Sequence, residues 1–198
     1  TMNDINPIPN EPVFNIAPNG ANATLVANKP GKSSIIIKNK FSQNSLSIQA
    51  KFGELYEWID DYIIYITTDE DVVNIVNGQT YTIGATLVNT TQKGMFSWSI
   101  DKGNDIIDIT GLASGTCTIT TKEPGQAIIK VTNTLCPDME KELLINVGNT
   151  EEELKGFKYL TTKQNVVTIA KGSTASVSVD IKNTDNPVVN GYTWRSQN

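Results

Sequence analysis

The chain has 198 residues, 38% of them hydrophobic and 19% charged, with a net charge of −5 and no histidine. There is enough apolar material for a core, and no basic patch of the kind that nucleic acid or an anionic membrane requires. The lack of histidine removes the commonest general base and the commonest metal ligand, and with Arg195 the single arginine among 16 basic residues, bidentate phosphate clamps are nearly excluded.

Thr, Ile, Val and Asn are abundant, the mixture expected of strands joined by polar turns. In chain order, the KPG turn ending at Gly31 leads into a β-branched run that ends at Asn39. Tyr62 to Ile66 is apolar and rich in β-formers, and Val72 to Val76 follows, closed by the turn dipeptide Asn77-Gly78. Thr80 to Val88 alternates, with Tyr81, Ile83, Ala85 and Leu87 on one face, which is the period of a half-buried strand. Met95 to Ile100 places Phe96, Trp98 and Ile100 on one side. Short strands are predicted at Ile106 to Ile109, Thr116 to Thr121, Ala127 to Asn133 and Leu143 to Val147, with the turn Glu123-Pro124-Gly125 among them. Thr150 to Lys155 is the one window with helical character, and it is too short for a stable isolated helix.

The pattern recurs. YITTDEDVVNIVNGQTYTIG from Tyr65 is matched 94 positions later by YLTTKQNVVTIAKGSTASVS from Tyr159, with eight of 20 residues identical, Gly78 and Gly172 among them. The Pro30-Gly31 turn matches Pro124-Gly125 at the same offset, and Trp194 matches Trp98 two residues out of register, because DNPVV lengthens the preceding turn. A fixed period of this length denotes a modular array. Seven or eight short strands in about 90 residues denote a sandwich or barrel. A tryptophan recurring in mid-strand fits the space between two sheets.

The segments VVNIVNGQTYTIGATL, FSWSID, TGLASGTCTITTKEPGQAIIKVTN and LLINVG together resemble the bacterial immunoglobulin-like (Big) repeat. The resemblance implies an all-β fold of tandem Ig-like sandwiches. It divides the chain into the C-terminal half of one module (residues 1–57), a complete module (58–150) and the N-terminal half of another (151–198). The chain enters in mid-pattern at Thr1, so it is expected to be a segment of something longer. Neither half can cover a core alone, and the two are complementary: copy three of one chain could complete copy one of the next. The other reading is that each half finds its missing strands elsewhere in a longer chain.

Candidate chemistry is sparse. The family usually lacks cysteine, so Cys117 and Cys136 belong to this copy; Ala23 and Ser42 stand at their positions in copy one. With no third Cys or His they make no standard zinc site, which leaves two buried or free thiols or one disulfide. Asp60, Asp61, Asp69, Glu70 and Asp71 are close in sequence, as paired glycosidase carboxylates would be, but they sit in a linker and turn where acidic residues are normally solvated. The same residues, with Asp101, Asp105 and Asp108, are candidates for junctional Ca²⁺, while the second junction offers only Glu151 to Glu153. Asn22-Ala23-Thr24 and Asn89-Thr90-Thr91 fit the glycosylation pattern. Trp58, in the apolar first linker, is expected to pack at a module junction, and the short linkers predict a semi-rigid rod.

The reading is therefore of a non-enzymatic structural or adhesive module, extracellular or at a cell surface, with no cofactor. Its expected partners are adjacent Ig-like modules of the same or a neighbouring chain, and a host-surface protein or glycan, with no nucleic acid and no membrane insertion. A virion component and an accessory domain of a large secreted enzyme are the alternatives, and fold does not choose among them.

Overall fold

The computed structural model describes residues 12–40, 45–54, 63–183 and 191–196. The strands in chain order are β1 (Phe14–Asn19), β2 (Asn22–Ala27), β3 (Gly31–Asn39), β4 (Ser45–Gly53), β5 (Tyr65–Thr68), β6 (Val72–Val76), β7 (Thr80–Val88), β8 (Phe96–Lys102), β9 (Ile107–Thr110), β10 (Thr116–Thr121), β11 (Gly125–Asn133) and β12 (Glu140–Gly148). A short helix, α1 (Glu151–Gly156), is followed by β13 (Tyr159–Thr161), β14 (Val166–Ala170), β15 (Thr174–Ser178), β16 (Asp180–Lys182) and β17 (Tyr192–Ser196).

The all-β expectation holds, and the strands form two sandwiches. The first is contiguous. One sheet has the order β5-β7-β10-β9 and the other β6-β12-β11-β8, with β6 parallel to β12 and the remaining pairs antiparallel. This is the four-plus-three immunoglobulin arrangement, with the first strand divided between the sheets. Between them lies a core that includes Ile66, Ile83, Trp98, Ile119, Ile129 and Ile145.

The second sandwich is assembled from both ends of the chain. Strand β14 runs parallel to β4, β17 pairs with β3, and β15 pairs with β2, each through five residue pairs. The two partial modules thus close on each other within one chain. The equivalence extends to single hydrogen bonds. Asn77 N donates to Gly148 O at 2.8 Å in the first sandwich, and Lys171 N donates to Gly53 O at 2.7 Å across the seam of the second. Ala85 N to Gly115 O (2.7 Å) likewise corresponds to Val179 N to Ala21 O (2.9 Å). One core contains Phe14, Leu25, Ile35 and Phe52 from the N-terminal half together with Leu160, Ile169, Val177 and Trp194 from the C-terminal half. The Phe14 and Phe52 rings stack at 4.6 Å within it.

Two local features differ from the sequence expectation. TEEELK does form a helix: Thr150 Oγ1 accepts from Glu153 N at 3.2 Å, and Glu153 Oε2 accepts from Asn149 N at 2.7 Å. This reciprocal cap supplies what so short a helix lacks alone. Strand β12 is longer than expected, and all nine of its residues are buried, as are all nine of β4. A strand with one solvated face would alternate, so a second layer covers both.

Candidate functional site

That layer is the other sandwich. Ile36, Ile128 and Leu144 alternate with core residues, point away from their own sandwiches, and are nonetheless 1–4% exposed. The outer faces of β3 and β4 lie against the outer face of β12. Ser34 Oγ and Ser47 Oγ donate to Glu140 O at 3.1 and 3.2 Å, Glu140 N donates to Ser34 Oγ at 3.0 Å, and Ser45 Oγ donates to the Glu142 carboxylate at 2.8 Å. The Gln49 side-chain amide takes both backbone groups of Ile66: its Nε2 donates to Ile66 O, and its Oε1 accepts from Ile66 N at 2.9 Å. Ile66 lies on β5, an edge strand, so Gln49 occupies hydrogen-bonding positions that a further strand would use. Lys51 Nζ sits 4.7 Å from the Tyr65 ring centroid. The sandwiches therefore pack side by side through sheet faces that mix isoleucine and leucine with hydrogen-bonded polar side chains, and this packing, more than linker length, sets their relation.

Charge collects there. Lys130 Nζ is 3.3 Å from both Asp101 and Glu140 carboxylates. Burial works against the Lys130 ammonium, but Glu140 and Asp101 more than offset it, and its pKa lies above the ordinary lysine value. Burial also lifts Glu142 above the ordinary carboxylate range; the Ser45 hydrogen bond and Lys130 oppose this, while Glu140 and Asp101 add to it. A carboxyl whose folded pKa is raised contributes most when protonated, and the contribution is lost as pH rises through that raised value. Thermal stability should therefore fall as pH rises from the ordinary carboxylate range through the raised Glu142 pKa, and Glu142→Gln should flatten this part of the curve and stabilise the chain at neutral pH. Melting curves of both proteins across that range check this; an unaltered slope in the Gln variant removes Glu142 as its source. Lys141, almost fully buried, is neutralised by Asp71 at 2.6 Å.

The remaining expected residues fall into structural places. Trp98 is 3% exposed, and its indole N–H donates to Ser114 O at 2.9 Å. Trp194, 9% exposed, donates to Gly20 O at 3.2 Å, the equivalent turn position. The bond is local in the first sandwich and crosses the seam in the second. Gly78 and Gly172 have φ of 86° and 75°, the left-handed region favouring glycine, in the turn after β6 and β14. Gly125, after Pro124, has a φ of 154°, a backbone conformation that side-chain-bearing residues rarely adopt, and a Cβ there would also press on the tip of Ile106.

Cys117 and Cys136 are buried free thiols in the first core, so the disulfide alternative is not formed. Cys117 fills the position that Ala23 fills in the second core, as a small apolar side chain. Burial pushes the Cys117 thiol up to about 11 and raises Cys136 as well. Both should resist an aqueous thiol reagent until the first sandwich unfolds. Rapid labelling of either cysteine in the native chain would contradict this burial.

Most of the acidic candidates are already engaged. Asp69 Oδ2 accepts from Gly84 N at 2.7 Å, Asp71 pairs with Lys141, Asp101 with Lys130, and Asp108 with Lys122 at 2.7 Å. Among the described residues no three His, Cys, Asp or Glu side chains come together as a metal site would need. The Asp69 role recurs without its charge. At the equivalent of Gly84, Ser178 N donates to Gln164 Oε1 at 3.3 Å. A Cβ at Gly84 would stand 2.7 Å from the Asp69 carboxylate, so the short acid goes with glycine, and the longer amide, one position later, goes with serine. In the Asn89 glycosylation motif, the side-chain amide donates to Ile63 O at 3.0 Å. Trp58, Asp60 and Asp61 lie outside the described residues.

The buried back-to-back faces were missed from sequence because nothing in a single strand marks what covers its outer side. The run Ser45-Leu46-Ser47-Ile48-Gln49 alternates as a solvated strand would.

The strand order and the paired cores define the molecule as two immunoglobulin-type sandwiches. No family model matches the chain, and no curated protein matches it. Among solved structures, domains 4 and 5 of the S-layer protein SbsC align with 68% of this chain at 18% identity and a TM-score of 0.36. The alignment spans 65% of that chain, a little under two thirds of its length.

Proposed function

We propose that this chain is a non-enzymatic structural unit of a surface-exposed protein, a stiff two-sandwich spacer that also presents loops to a partner. The observation that carries the reading is what recurs. Between the sandwiches the indole-to-turn hydrogen bond, the left-handed glycine and the side-chain cap on the Gly84 and Ser178 amides are all repeated. The charged positions diverge, so the scaffold repeats and no chemistry repeats with it. Side-by-side packing through β4 and β12 supports the spacer role, because it fixes two folded units together where short linkers alone would leave them a hinge. Exposed Met95 and Leu112, beside the β7–β8 and β9–β10 connections, are the apolar side chains best placed to meet a partner.

Replacement of this segment in its parent protein by an unrelated two-sandwich segment of equal length tests the reading. A spacer tolerates the exchange. Loss of binding to cells or particles would assign adhesion to the loops, and loss of a catalytic activity would overturn the proposal.

A further inference from the structure

We propose that residues 159–196 exchange between copies of this chain, each C-terminal half completing the second sandwich of the next molecule, so that chains link head to tail. The seam that divides this sandwich is entirely non-covalent. It consists of the β14–β4, β17–β3 and β15–β2 ladders and one shared core. In the first sandwich the corresponding strands are tied by the short connection from Lys102 to Ile107; in the second, β17 and β1 only lie beside each other. Nothing in the seam requires its two sides to come from one molecule, and identical contacts form when they do not.

The structure also identifies which half moves. The N-terminal half is held to the first sandwich by Ser34, Ser45, Ser47 and Gln49. Among the described residues, every sheet pairing of 159–183 and 191–196 is with strands β2, β3 and β4 or within that half itself. Its connection to the first sandwich runs through α1, beside the Gln126 hydrogen bond to Lys158 O at 3.2 Å. Leu154 of α1 lies close to Gly148, so the helix stays with the first sandwich and the turning point falls at Phe157 and Lys158, in extended backbone. Each chain then carries one donor half and one acceptor half on different surfaces. That heterologous pairing closes into rings or grows into filaments, according to the rotation between neighbours. The partner is a second copy of this chain because the registers at the seam match those inside the first sandwich residue for residue: Thr116↔Gly84 corresponds to Asn22↔Ser178. This inference is independent of the spacer reading.

Thr24 and Ser176 are exposed and directly opposed across the seam, and antiparallel neighbours lie within disulfide reach. Thr24→Cys and Ser176→Cys variants of the 198-residue chain, unfolded, mixed, refolded together and then oxidised, should give the mixed disulfide dimer at least about tenfold over either homodimer. The ratio of dimer to monomer should rise about tenfold for each tenfold rise in concentration, as competition between intra- and intermolecular closure requires. The double variant, refolded dilute, should cross-link within the monomer. Closure of the double variant with no mixed dimer at any concentration would overturn exchange. Failure of the double variant to close would overturn the seam itself, and exchange with it.

Discussion

Removal of residues 159–198 should unfold residues 12–53 and leave residues 65–148 folded. The lost half supplies Leu160, Val167, Ile169, Val177, Val179, Ile181 and Trp194 to the second core, all at most 9% exposed. At about 1.5–3 kcal/mol for each large apolar side chain buried, losing all seven costs about 10–20 kcal/mol, as much as or more than the roughly 5–15 kcal/mol by which a domain is stable. The N-terminal half then has Phe14, Leu25, Ile35, Ile48 and Phe52 with nothing above them, and strands β2, β3 and β4 each lose a neighbour. The first sandwich keeps all of its ladders and its whole core. Limited proteolysis with mass mapping is the direct measurement. Digestion of residues 12–53 beside a resistant fragment spanning 65–148 is the expected pattern. Protection of residues 12–53 in the truncated chain would mean that four strands close a core alone, and completion across the seam would be wrong.

Trp98→Ala should cost the first sandwich about 3–5 kcal/mol, the range for emptying a large aromatic from a core. The indole lies opposite Val131 in the core that also holds Ile129 and Cys117, and it carries a hydrogen bond to Ser114 O, which its removal would leave without a donor. Trp98→Phe separates the terms: the ring volume is largely kept, and the loss should fall to about 1–3 kcal/mol, the cost of the unmet polar group with a small cavity. The same pair of substitutions at Trp194 should act on the second sandwich only. Its bond to Gly20 O joins the two ends of the chain, so Trp194→Phe weakens the seam where Trp98→Phe weakens a local turn. Calorimetry of the four variants reads this as two transitions moving separately. A single transition displaced equally by all four would show that the sandwiches unfold as one unit, held by the β4–β12 face.

How much of this was legible in the sequence follows from which contacts are local. Strand periodicity from Thr80 to Val88 exposed Ile83 and Ala85 as core because alternation is a property of one strand. The turn at Gly78, the Trp98 strand and the 94-residue offset were legible for the same reason: each is written within a few residues or repeated whole. The offset even matched partners across the seam, since β15 and β2 pair in the register of β7 and β10. The TEEELK helix was missed because its stability comes from a reciprocal cap and from docking against Gly148, neither of which helix propensity records.

The sequence by itself determined the sandwich: alternating apolar residues, glycines at left-handed turns, a tryptophan at mid-strand, and a module cut so that each half lacks what the other holds. Only the tertiary structure decided where those halves meet and what lies between the sandwiches. Glu140 and Glu142 are charged residues, yet they are buried because β4 brings Ser45 and Ser47 to them from a segment 93 or more residues away. The physical reason is that a strand's inner face is dictated by its own alternation, whereas its outer face is decided by whichever distant surface can satisfy its polar groups, and no local pattern encodes that distance.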